Sequence, residues 1–101
     1  FNNSFAYFRN NIIFNVNVTN PEQSDAYRVL SGQAMQEYNA EVLVRGGDMT
    51  VLEGQMYTRT VVLKFESVAQ ARAFYDSETY RKARELRKDA AIANIAIVEG
   101  I

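Results

Sequence analysis

The sequence predicts an α+β domain in which a four-stranded antiparallel sheet carries two helices on one face. Apolar and polar residues alternate from Phe14 to Val18, and apolar-rich runs at Arg59 to Phe65 and Ala91 to Val98 are strand-like. Apolar residues at three- and four-residue spacing, each run opened by a capping signal, mark two helical segments between them. The order β-α-β-β-α-β is that of a split βαβ repeat, which closes as one sheet covered on a single side.

The first strand is expected over residues 11–18, with Phe14, Val16 and Val18 on one face and Asn15 and Asn17 on the other. Thr19-Asn20-Pro21-Glu22-Gln23 reads as a helix start: Asn20 caps, Pro21 suits the first helical position, and Glu22 favours the positive end of the dipole. Ala26, Tyr27, Leu30, Ala34, Met35 and Tyr38 form that helix's apolar stripe, which Gly32 weakens and Asn39-Ala40 close. Residues 41–45 are strand-like. Val42 to Val44 and Val51 to Leu52 flank Gly46-Gly47-Asp48, where glycine tolerates positive φ, so a small hairpin is expected there.

Thr58 to Glu66 is the longest strand signal, with Arg59, Val61, Leu63 and Phe65 opposite Thr60, Val62 and Lys64. Ser67 and Gln70 have capping-box spacing and start a second helix with Val68, Ala71, Phe74 and Tyr75 inward. Asp76-Ser77 offers another cap, so a break is expected there, with continuation through Lys88. The last strand, residues 91–98, sets Ile92, Asn94, Ala96 and Val98 against Ala93, Ile95 and Ile97. This is a ferredoxin-like sandwich. Its uncovered face mixes Asn15, Asn17, Thr60, Val62, Lys64 and Asn94, too apolar for water and too polar for a core. Two such sheets packed face to face cover each other, and two-fold pairing is the simplest closed symmetry.

Composition narrows the function. The chain has 101 residues, 48% apolar, with a formal net charge of −1. That is one modest domain, with no charge excess to bind nucleic acid and no apolar run long enough to span a bilayer. There is no cysteine and no histidine, which removes disulfides, thiolate catalysis, the commonest general base and the commonest metal ligand. No set of ligands for a metal and no cofactor motif is visible; Gly46-Gly47 lacks the spacing and lysine-serine end of a phosphate loop. No secretory signal pattern opens the sequence, so a cytoplasmic location is expected.

Arg45-Gly46-Gly47, Val51-Leu52-Glu53-Gly54, Phe74-Tyr75-Asp76-Ser77 with Tyr80, and Val98-Glu99-Gly100 together resemble the domain-of-unknown-function family 1330, of the dimeric α+β barrel superfamily. The resemblance covers about residues 11–100 in order and spacing, and leaves residues 1–10 as an N-terminal extension. Four aromatics in that extension call for a surface to cover them, so Phe5, Tyr7 or Phe8 is expected to dock in an apolar groove, on a partner subunit or a neighbour. The resemblance implies a homodimer and no agreed reaction. It also implies cofactor-free chemistry in which tyrosine hydroxyls serve a carbonyl or enolate.

Candidate site residues follow from residue chemistry. Arg45, with Glu53 and Arg59 nearby, can form an arginine fork for a carboxylate, or an ion pair that pins the hairpin. Tyr75, Asp76, Ser77 and Tyr80 meet at a helix start, where free amides favour an anion; their structural alternative is capping and core packing. Arg81, Lys82, Arg84, Arg87 and Lys88 alternate with acids and read as a solvated helical face. The expected pocket lies between sheet and helices, with Arg45, Tyr27, Tyr38, Ser77 and Tyr80 as ligand-binding residues and Tyr75 and Glu53 as catalytic candidates. The function expected is binding of a small anionic or carbonyl-bearing metabolite, with cofactor-free acid/base or oxygenase-like chemistry. The alternative is a non-catalytic structural or protein-interaction dimer.

Overall fold

A computed structural model describes residues 10–101. Among them run β1 (Asn10–Val18), α1 (Pro21–Glu37), β2 (Glu41–Arg45), β3 (Arg59–Phe65), α2 (Val68–Asp76), α3 (Glu78–Arg87) and β4 (Ala91–Val98). The four strands form one antiparallel sheet in the order β2-β3-β1-β4. This is the predicted ferredoxin-like α+β sandwich, with the second helical segment in two pieces. The docking expected of Phe5, Tyr7 or Phe8 lies outside the described residues.

Local chemistry sets the helix ends. Asn20 is extended, and its side-chain oxygen accepts from the Gln23 amide at 3.3 Å, with Pro21 opening α1. The helix stops where Asn39 takes φ +54°, and the Ala40 and Asn39 amides fold back to the Met35 and Gln36 carbonyls at 2.9 and 3.4 Å. That is a Schellman closure with asparagine in the left-handed position. Ser67 caps α2 by accepting from the Gln70 amide at 3.0 Å. The Gln70 side chain does not return to Ser67; it donates to the Tyr38 carbonyl at 2.8 Å and ties α2 to the end of α1. Ser77 ends α2 and starts α3: its hydroxyl donates to the Phe74 carbonyl at 2.8 Å and accepts from the Tyr80 amide at 3.1 Å.

The core lies between the sheet and the helices. Ile12 and Phe14 of β1 and Leu63 and Phe65 of β3 pack against Ala34, Ala71, Phe74, Tyr80 and Ala83, all buried. Aromatic rings stack through its centre, with Phe74 and Tyr80 centroids 4.7 Å apart and Phe65 and Phe74 5.2 Å apart. Two residues expected inward are exposed, Ala26 of α1 and Val68 at the first turn of α2. The face that α1 turns to the sheet instead includes Ser24 and Ser31, buried one heptad apart with Tyr27 between them. Small side chains there let the helix roof a cavity.

The expected hairpin does not form. β2 pairs directly with β3, Val42 opposite Leu63 and Val44 opposite Val62, with a bulge at Leu43. Residues 46–58 are a loop. Val51 and Leu52 supply only two apolar residues before Glu53-Gly54, too few to displace the seven-residue β3 from β2. Gly46 leaves the sheet at φ +65°, where a Cβ would also collide with the Arg59 guanidinium. Asn15 clips the far end of the loop back: its amide nitrogen donates to the Tyr57 carbonyl at 3.1 Å, and its oxygen accepts from the Tyr57 amide at 2.9 Å. Asn15 faces the open side of the sheet, yet its own chain buries it there.

The rest of the uncovered face is as the alternation predicts. Ile13, Val44, Ile92 and Val98 are exposed on it, and Lys64 pairs with Glu41 at 3.4 Å. Among the described residues, no helix is long and apolar enough to cross a membrane.

Candidate functional site

A cavity of about 210 Å³ opens between α1 and one end of the sheet. Its floor is Phe14, Val16 and Val61, and its roof includes Ser24, Tyr27, Ser31, Gly32 and Met35 of α1. Four arginines reach it from four elements: Arg28 (α1), Arg45 (β2), Arg59 (β3) and Arg87 (α3). Among the described residues, no acidic side chain lines it. Arg28 pairs with Asp25 at 3.1 Å, but Arg45, Arg59 and Arg87 form no salt bridge among the described residues.

Topology explains the convergence. Arg45 stands opposite Val61 on the core-facing side, so Arg59, two residues before Val61, is its diagonal neighbour. Arg87 comes from the last turn of α3, where a cation suits the helix dipole. Its guanidinium lies 5.5 Å from the Tyr27 ring centroid, and its Nε is buried with no hydrogen-bond partner among the described residues. Like charges gathered in a partly apolar cavity without counter-charges repel one another, and an anion would relieve that repulsion.

Beside the arginines, the Tyr27 and Tyr80 hydroxyls meet at 2.7 Å. Burial raises the proton affinity of both above the ordinary phenol value of 10.0; the hydrogen bond to Tyr80 and then the Arg87 charge pull the other way at Tyr27. Both stay protonated at neutral pH. One of their two protons makes the mutual bond and the other can go to the Ser31 hydroxyl beside Tyr27 or to a ligand, so the pair can donate a hydrogen bond but is a poor base.

The structure brings some expected residues to this site and not others. Tyr27 and Arg45 line the cavity. Tyr80 is fully buried behind Tyr27, in contact through its hydroxyl. Tyr38 packs edge-on against Phe74, and Ser77 is consumed by capping; neither lines the cavity. Tyr75 sits under Arg84, whose guanidinium is 4.3 Å above its ring, and is also absent from the lining. Glu53 is exposed on the 46–58 loop, forms no salt bridge with Arg45, and does not line the cavity. Sequence reading left Arg87 on a solvated helical face. That holds for Arg81, Lys82 and Lys88, which are exposed, but Arg84 and Arg87 lie over tyrosine rings. The available signal was their i, i+3 spacing above the buried Tyr80 and Ala83. Among the described residues, no cluster of three or more acidic, histidine or cysteine side chains is placed to hold a metal.

Comparison with known proteins agrees with this architecture. A protein of unknown function from Rhodopseudomonas palustris superposes with a TM-score of 0.76 at 16% identity, over 94% of this chain and 84% of that one. SnoaB, a cofactor-independent oxygenase from Streptomyces nogalater, superposes with a TM-score of 0.59 at 6% identity, over 93% and 94% of the two chains. A dimeric protein of unknown function with a ferredoxin-like fold from Bacteroides fragilis superposes with a TM-score of 0.55 at 10% identity, over 92% and 99%. These likenesses concern the fold. A comparison with curated proteins finds no match. Residues 10–101 match the model of the domain of unknown function DUF1330, and the chain belongs to that family.

Proposed function

We propose that this protein is a homodimer that binds a small anionic or carbonyl-bearing metabolite in the cavity beneath α1. The observation behind this reading is the set of three arginines, Arg45, Arg59 and Arg87, that have no acidic partner among the described residues and share one partly apolar cavity. A guanidinium binds a carboxylate through two parallel hydrogen bonds, and the apolar floor suits a carbon skeleton. A cavity of about 150 Å³ admits benzene, so this one, at about 210 Å³, suits a small ring or short chain bearing a carboxylate.

Chemistry at this site extends the binding reading. Tyr27, backed by Tyr80, is placed to donate a hydrogen bond to a carbonyl or enolate oxygen, which supports cofactor-free proton transfer or oxygenation of a carbonyl compound. The fold likeness to a cofactor-independent oxygenase supports the same extension. Glu53 and Tyr75 lie off the cavity wall, so the acid role passes to Tyr27.

The homodimer reading rests on the uncovered sheet face, where Ile13, Val44, Ile92 and Val98 are exposed together, and on the dimeric Bacteroides fragilis protein of similar fold. A second copy of this chain, packed sheet to sheet, would remove those side chains from water.

Thermal shift against a panel of small carboxylates and 2-oxo acids tests the site. A ligand at a hundred times its Kd stabilises the native state by about 2.7 kcal/mol. The wild type should show such a rise with at least one class, and Arg59→Gln with Arg87→Gln should lose it, since a hydrogen bond to a charged group contributes about 1.5–3 kcal/mol. No shift with any anion, supported by the absence of heat in calorimetry, would sink the anion-site reading.

A further inference from the structure

We propose that Gly32 is the portal of the arginine cavity, and that the ligand is an elongated carboxylate whose head lies among Arg45, Arg59 and Arg87 while its chain passes over Gly32. This rests on the reading of the cavity as an anion site.

Gly32 is interior to α1 and lies outside the left-handed region, so no backbone requirement calls for glycine there. Glycine in a helix interior is disfavoured relative to alanine. Among the described residues, no neighbour excludes a side chain either: a Cβ at Gly32 would meet nothing within 4 Å. The missing side chain leaves an open saddle. On one side lies the arginine cavity. On the other is a wider groove of about 760 Å³ between α1 and the edge strand β2, walled by Val29, Ala40 and Val42, with the amides of Gln33 and Gln36 alongside. Gly32, Met35 and Arg45 line both spaces.

The two spaces divide the work of one ligand. The inner cavity holds the cationic groups but, at about 210 Å³ and interior packing density, it has room for roughly ten non-hydrogen atoms. A longer carbon chain must leave it. The saddle at Gly32 leads to the groove, where Val29 is 73% exposed in mid-helix and would be covered by such a chain. Apolar surface in a groove continuous with a charged site is the pattern of an amphiphilic ligand.

The probes are butanoate, which fits the inner cavity whole, and dodecanoate, which does not. Binding of each by calorimetry is compared in wild type, Gly32→Ala and Gly32→Leu. Leucine fills the saddle, so Gly32→Leu should weaken dodecanoate binding at least about tenfold more than it weakens butanoate binding, the effect of two buried methylenes displaced. Without ligand, Gly32→Ala should melt a few degrees above wild type, because it adds a methyl to open space in a helix. Equal effects of Gly32→Leu on both probes, or none on dodecanoate, would overturn the portal while leaving the anion site standing. A lower melting temperature for Gly32→Ala would show that the saddle is not open and overturn it as well. Failure of wild type to bind either carboxylate would overturn the anion site itself, and the portal with it.

Discussion

At the scale of single residues, the Tyr27–Tyr80 pair has the clearest physical signature. Burial favours the neutral phenol, so both hydroxyls hold their protons in the native state beyond the pH at which an unfolded chain releases them. Below pH 10 the folded and unfolded states bind the same protons and the pair's contribution is intact. Above about pH 10 the unfolded chain ionises first, so it binds fewer protons than the native state and stability falls as pH rises. Tyr80→Phe should make that alkaline decline shallower. At neutral pH it should cost about 1–3 kcal/mol, because the Tyr27 hydroxyl loses its partner while staying largely buried. Urea unfolding between pH 7 and pH 11 measures both, and equal alkaline slopes in wild type and variant would refute the assignment.

At the scale of elements, one asparagine decides where the loop after β2 lies. Asn15 is on the open face of β1, yet it holds both polar groups of the Tyr57 backbone and donates to the Thr60 hydroxyl at 3.2 Å. Thr60 in turn donates to the Met49 sulfur at 3.1 Å, so both ends of the loop are tied to the same corner of the sheet. Asn15→Ala should free Tyr57 and cost about 1–3 kcal/mol, the desolvation of backbone groups left unpaired. Hydrogen exchange should quicken at Tyr57 while the β1–β4 ladder stays protected. Uniform loss of protection across the sheet would mean that Asn15 supports the core rather than the loop.

At the scale of the whole molecule, both helical layers cover one side of the sheet and the other side keeps its aliphatic residues in water. Val62, paired with Ile13 and Val44, is central on that side. In the proposed dimer it is buried, so Val62→Asp places an unpaired charge at the interface, a change that costs about 3–5 kcal/mol. Sedimentation at micromolar concentration should show wild-type dimer and variant monomer, with the helical circular dichroism unchanged. A wild-type monomer would remove the basis for the sheet-to-sheet pairing.

What the sequence by itself determined was everything whose cause lies within a few residues. The caps Asn20, Ser67 and Ser77 bond to amides three positions on, so they were legible as motifs and formed as expected. Strand alternation sorted Leu63 and Phe65 from Val62 and Lys64 because side chains in a strand change face at every residue. The hairpin expected at 46–58 does not form because pairing is a competition: Val51-Leu52 carries a strand-like pattern, but β3 offers β2 a longer ladder. The cavity was beyond local reading for the same reason. Tyr27 and Tyr80 meet across 53 positions, and Arg45, Arg59 and Arg87 converge only once three elements have packed. The sequence puts Arg45 and Arg59 close together as a candidate fork and leaves Arg87 on a solvated helical face. Only the packed sheet and helices decide that all three share a concavity with no acid on its wall among the described residues.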